Sequence, residues 1–95
     1  MITIIATLIV KEGKMEQAIE ALKEIVPKIR ESEPGCLVYI PHTVRGENNM
    51  IMFYEKYRDK ESLTSHANNL AKSLEKLFPF LEPGMDVKTC YEIIS

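Results

Sequence analysis

The chain has 95 residues, with 14 acidic against 12 basic side chains and a formal charge of −2. That length makes a single domain, residues 1–95, whose small core predicts stability gained by oligomerising. The charge excludes the basic face of a nucleic-acid binder, and no apolar run approaches the roughly 20 residues of a membrane span.

Ile2 to Val10 is an apolar, β-branched run that reads as a strand. Ile2, Ile4, Ala6, Leu8 and Val10 share one face; Thr3, Ile5, Thr7 and Ile9 share the other. No basic segment or cleavage site precedes this run, so a cytoplasmic protein with reduced Cys36 and Cys90 is expected. Lys11 to Lys14 is a polar turn in which Gly13 supplies backbone freedom. Met15 to Glu31 follows helical spacing, its apolar stripe passing through Met15, Ala18, Ile19, Leu22, Ile25, Val26 and Ile29. Pro27 falls inside the pattern and predicts a kink or a new turn. The stretch Ser32 to Gly35 ends the helix.

Cys36 to Val44 is the second strand, with Leu37, Tyr39 and Pro41 opposed to Cys36, Val38 and Ile40. Pro41 cannot donate to a ladder, so an edge or a bulge is expected there. Arg45 to Asn49 reads as a hairpin loop. Met50 to Tyr57 alternates again, Met50, Met52 and Tyr54 on one face and Ile51, Phe53, Glu55 and Tyr57 on the other. Asp59 is a good N-cap for a helix whose stripe is Leu63, Ala67, Leu70, Leu74 and Leu77. His66 sits on the same stripe, three after Leu63 and four before Leu70. An imidazole is thereby aimed at the sheet. Pro79, Pro83 and Gly84 break up the exit, and Met85 to Ile94 is the last strand.

The order βαββαβ predicts an α+β, ferredoxin-like fold: a four-stranded antiparallel sheet with both helices on one face. Because the strands are apolar on both faces, the open face calls for another subunit. A homodimer through the sheet faces, a dimeric α/β barrel, is the expectation.

Three stretches together resemble the antibiotic-biosynthesis monooxygenase (ABM) domain. They are Ile25 to Pro27 followed by Pro34 to Tyr39, the aromatic strand Phe53 to Tyr57, and Asp59 to Leu63 leading to His66. The resemblance covers nearly the whole chain. It implies a small pocket between sheet and helices, and oxidation of a small quinol or phenolic aromatic by molecular oxygen without metal, flavin or haem. Loss of a proton from such a ring gives an anion able to reduce oxygen, so the protein need only bind the ring, supply a base and exclude water.

On that resemblance His66 is the candidate base, because imidazole ordinarily titrates near neutral pH. Glu55 could orient a donor or accept a proton, Tyr39 and Tyr54 could hold the ring or its oxygens, and Asn69 could bind substrate oxygens. A second His common in the family is replaced by Leu70. The haem-degrading branch uses an Asn and a Trp where Ala6 and His66 stand here, which disfavours haem degradation. Read without the resemblance, His66 is a core imidazole bonded to a backbone carbonyl or to Ser62. Glu55 is then an outward strand acid or a dimer salt bridge, and the tyrosines are packing residues. Two further functions stay open: an isomerase of a small phosphorylated dicarbonyl, and a non-catalytic small-ligand-binding dimer.

Overall fold

The computed structural model describes residues 1–94. Its elements are β1 (Ile2–Val10), α1 (Met15–Ser32), β2 (Cys36–Val44), β3 (Glu47–Tyr57), α2 (Lys60–Ser73), a 3-10 turn (Phe78–Phe80) and β4 (Leu81–Tyr91). The strands form one antiparallel sheet in the order β2-β3-β1-β4. This is the α+β, ferredoxin-like architecture that the element order predicts. Among the described residues no helix is long and apolar enough to cross a membrane.

Alternation decides which face each strand buries. Ile2, Ile4, Ala6, Leu8 and Val10 of β1 join Ile51, Phe53 and Tyr57 of β3 in the core, against Ala18, Leu22, Ile25, Val26 and Ile29 of α1. The opposite face carries Ile5, Ile9, Ile40, Met50, Met52 and Tyr54, all at least partly exposed, and no helix lies over it. α1 runs unbroken from Met15 to Ser32 with Pro27 inside it. The helix does not break at Pro27: Ile25, Val26 and Ile29 bury around it, and the carbonyl freed by the missing N–H belongs to exposed Lys23.

Three points differ from the sequence reading of the strands. The hairpin turn is two residues, Arg45 and Gly46, with β3 starting at Glu47; Gly46 has φ of +85°. β4 runs from Leu81 to Tyr91 and not from Met85 to Ile94, taking in Pro83 and Gly84 because its pairing with β1 shifts register between Leu8 and Val10 and accommodates both. The third difference matters most for the site. Cys36 pairs with Tyr57 and Val38 with Lys56, so Leu37 is an extra residue in β2. A bulge lies there and a second irregularity lies between Thr43 and Val44, whereas Pro41 stays in register and is tolerated because β2 is an edge strand. Cys36 therefore packs against the core, as Tyr39 does, while Leu37 faces water.

β2 begins where α2 begins. Asp59 Oδ1 accepts from the Ser62 backbone N–H at 2.8 Å and from the Ser62 hydroxyl at 2.7 Å, capping α2. The Gly35 carbonyl accepts from the Arg58 N–H at 2.9 Å. At this crossing Gly35 is buried directly beneath Ser62.

Candidate active site

Only His66 of α2 is fully buried; Leu63 and Leu70 are half-covered and Ala67 is exposed. The stripe expected to seal α2 onto the sheet is thus partly open, and its last two members, Leu74 and Leu77, lie beyond the helix end at Ser73 and are buried. Beneath it lies a cavity of about 110 Å³, lined by apolar side chains such as Ala6, Phe53, Leu70 and Val87. That is the scale of the roughly 150 Å³ cavities that admit a single benzene ring. Three lining residues carry polar groups: Tyr39, Glu55 and His66.

Each arrives from a different element. Tyr39 is placed by the Leu37 bulge, Glu55 by the alternation of β3, and His66 by the register of α2 set at Asp59. The imidazole lies between two rings, its centroid 5.4 Å from Tyr39 and 5.1 Å from Tyr57. Nδ1 is 2.7 Å from Glu33 Oε1, and Nε2 is 3.7 Å from Glu55 Oε1. The Tyr57 hydroxyl donates to the same Glu55 oxygen at 2.6 Å. A carboxylate only accepts, so Nδ1 carries the proton in its bond to Glu33. In the neutral imidazole Nε2 is then a lone pair, and it has no hydrogen-bond partner among the described residues. No fully buried side-chain nitrogen or oxygen lacks a partner among the described residues. Nε2 therefore reaches open space, and the space His66 lines is the cavity.

Electrostatics sorts the neighbouring groups. Burial pushes the Cys36 thiol up to about 11, partly opposed by a hydrogen bond with Tyr57. Burial, then the charge of Glu55, pushes the Tyr39 phenol far up. Burial and the bond to Glu55 do the same to Tyr57. All three stay protonated at neutral pH. Burial also lifts Glu55 above the ordinary carboxylate range, against the Tyr57 hydroxyl and His66, with Glu33 adding to the rise. What remains is the imidazole beside a carboxyl whose proton affinity burial has raised.

That raised carboxyl makes a stability prediction. With the folded value above the unfolded one, the native state binds more protons across the window from the ordinary Glu value of 4.5 upward. Stability from this group is therefore fully present below that value and is lost as pH rises through the folded value, at up to about 1.4 kcal/mol per pH unit. Glu55→Gln keeps an acceptor for Tyr57 and removes the titration. Urea unfolding from pH 5 to 8 is expected to show the native protein losing stability relative to this variant. Parallel curves would sink the assignment.

Of the five residues singled out in the sequence, the structure brings His66, Glu55 and Tyr39 together and leaves two outside. Tyr54 lies on the opposite face of the sheet, beside Lys56, whose Nζ is 5.9 Å from its ring centroid. Adjacent strand residues point to opposite faces, so Tyr54 cannot share a cavity with Glu55. Asn69 is exposed and lines a separate groove between α1 and α2, because α2 turns it away from His66. His66 bonds to Glu33 and not to Ser62, whose hydroxyl is committed to Asp59. Glu55 is buried, neither outward-facing nor paired across a surface. The residue that sequence reasoning missed is Glu33. Its one local signal is an acid at the C-cap of α1, where the helix dipole disfavours negative charge.

His42 is remote from this cluster, its Nδ1 3.3 Å from the Met52 carbonyl oxygen. Among the described residues no three His, Cys, Asp or Glu side chains are placed to hold a metal ion.

The family model described as antibiotic biosynthesis monooxygenase matches residues 1–71. The chain belongs to that family. Solved structures share the ABM fold. One, of an antibiotic biosynthesis monooxygenase, superposes with a TM-score of 0.84 at 20% identity, covering 99% of this chain and 100% of that one. A Caulobacter crescentus protein gives 0.87 at 21% identity, covering 98% and 90%. A Shewanella oneidensis protein gives 0.79 at 28% identity, covering 96% and 89%. No curated protein matches the sequence. The ABM match spans β1 through most of α2, so it includes every residue of the polar cluster.

Proposed function

We propose that this chain is a cofactor-independent monooxygenase that oxidises a small, single-ring quinol or phenol with molecular oxygen. The observation behind the reading is the Nε2 of a buried imidazole, without a hydrogen-bond partner among the described residues, at the wall of an apolar, ring-sized cavity. In this proposal Nε2 takes the phenolic proton, and the electron-rich anion passes electrons to oxygen. One oxygen atom enters the ring and the other leaves as water, so phenol and O2 become quinone and water. His66 returns its proton to the departing oxygen. Glu55 supplies a hydrogen bond as a neutral acid, and Tyr39 packs against the ring. Tyr54 and Asn69 have no part, since neither reaches the cavity.

The isomerase reading has less support. A phosphorylated substrate needs a cationic group, and no Lys or Arg is among the residues that line the cavity. The test is oxygen consumption by metal-stripped protein against a panel of monocyclic and bicyclic quinols. Uptake with monocyclic compounds is the expected result. Saturable binding of the same compounds with no uptake would replace this reading with the non-catalytic binding dimer.

The dimer belongs to the same proposal. Ile9 and Ile40 on the uncovered sheet face are 42% and 41% exposed, beside the half-exposed Ile5, Met50 and Met52. Apolar side chains left uncovered on one sheet face favour association with a second copy. Sedimentation at micromolar concentration is expected to give twice the chain mass, and a stable monomer would overturn it.

A further inference from the structure

Glu33 reaches the imidazole from outside the cavity. It is absent from the cavity lining and lines the groove between α1 and α2 with Lys28, Asn69 and Lys72. Its side chain is 10% exposed, against 6% for His66. Its backbone is pinned from both sides: the Glu33 N–H donates to the Ile29 carbonyl at 3.0 Å, and the Glu33 carbonyl accepts from the Cys36 N–H at 2.9 Å. The carboxylate is therefore delivered by two elements at once, the end of α1 and the start of β2. Its place at a helix C-terminus works against the dipole, and its single side-chain hydrogen bond is the one to His66 Nδ1.

We propose that Glu33 is the positioning residue of this site, holding the proton of His66 on Nδ1 so that Nε2 stays bare toward the cavity. The proposal rests on His66 being the base of the reaction above. An imidazole bonded to nothing at Nδ1 could place its single proton on either nitrogen. The proton on Nε2 would point at Glu55 Oε1, 3.7 Å away, and the site would hold no base. Glu33 removes that alternative. It also faces the positive charge that develops when Nε2 takes the substrate proton: the O–H bond breaks, an Nε2–H bond forms, and the imidazolium sits between two carboxyl groups. The proton leaves again from Nε2 and Nδ1–H is never broken. A third group that orients and supports a basic imidazole follows the same logic as the acid of a hydrolase triad.

The tautomer can be read without any substrate. The chain has two histidines, His42 and His66, so His42→Gln leaves one imidazole in ¹⁵N-histidine-labelled protein. Long-range ¹H–¹⁵N spectra are expected to show Nδ1 protonated and Nε2 bare. Glu33→Gln still offers an oxygen to Nδ1–H and should keep that pattern, whereas Glu33→Leu should move the proton to Nε2. A native protein protonated on Nε2 would overturn the proposal, as would an unchanged tautomer in a folded Glu33→Leu protein. If Glu33→Leu does not fold, the native spectrum still decides. With an oxidisable quinol, Glu33→Gln should lower kcat by roughly 10–100-fold while KM barely moves, since the charge facing the imidazolium is gone. An unchanged kcat would overturn the charge-stabilising part. If no compound is oxidised, the monooxygenase reading falls, and the tautomer spectra alone decide whether Glu33 positions His66.

Discussion

Gly35→Ala is expected to destabilise the protein by on the order of 3 kcal/mol, at the upper end of the usual cost of overpacking. For a chain of this size that lowers Tm by more than roughly 10 °C. The cause is contact and not backbone conformation, since Gly35 is not among the glycines with positive φ. An added Cβ would collide with Oγ and Cβ of Ser62, and these cannot simply swing aside. Ser62 Oγ is held by Asp59, and its Cβ is fixed to the first turn of α2. Either β2 or the start of α2 must shift, and His66 lies four residues along that helix. Ser62→Gly removes the colliding atoms, so the double variant should recover much of the loss. A double-mutant cycle by urea unfolding is expected to give a coupling above about 1 kcal/mol. Additive losses would sink the explanation.

This crossing also shows what a sequence can and cannot disclose. Pro34 and Gly35 are legible as a helix stop, but the demand for a residue without a side chain comes from α2, whose first turn arrives more than twenty positions later. Strand alternation is enough to put Glu55 and Tyr57 on one face with Ile51 and Phe53, and helical spacing is enough to aim His66 at the sheet. Alternation failed across β2, because counting by twos cannot register the extra residue at Leu37; Cys36 and Tyr39 were assigned to opposite faces and share one. The same counting already separated Tyr54 from Glu55. Only the family resemblance put both in one site, and local geometry was the better guide. Glu33 was illegible for a different reason. Its partner lies 33 positions away, and an acid at a C-cap signals only that something compensates it. The half-open α2 stripe has the same origin: helical spacing marks Leu63 and Leu70 as apolar, but not that a cavity lies beneath them.

His66→Ala is expected to lower oxygen uptake by about 10²–10⁴-fold, the usual contribution of a general base. No neighbour can take over efficiently. Cys36, Tyr39 and Tyr57 are held protonated by burial, and Glu55 is pushed toward its neutral form by the same effect. Glu33 lies on the groove side of the imidazole and does not line the cavity. The variant also leaves a hole the size of the missing ring between Tyr39 and Tyr57, so added imidazole should restore part of the rate in a saturable way. Rescue of that kind separates lost chemistry from lost fold, because a misfolded protein would not respond to it. Binding of the aromatic ring should change far less than kcat, since the apolar walls supplied by Ala6, Phe53, Leu70 and Val87 remain. Equal uptake in the variant would remove His66 from the mechanism while leaving the cavity as the site. Loss of binding together with rate would instead make the imidazole part of the wall that holds the ring, and the base would have to be sought in Glu55.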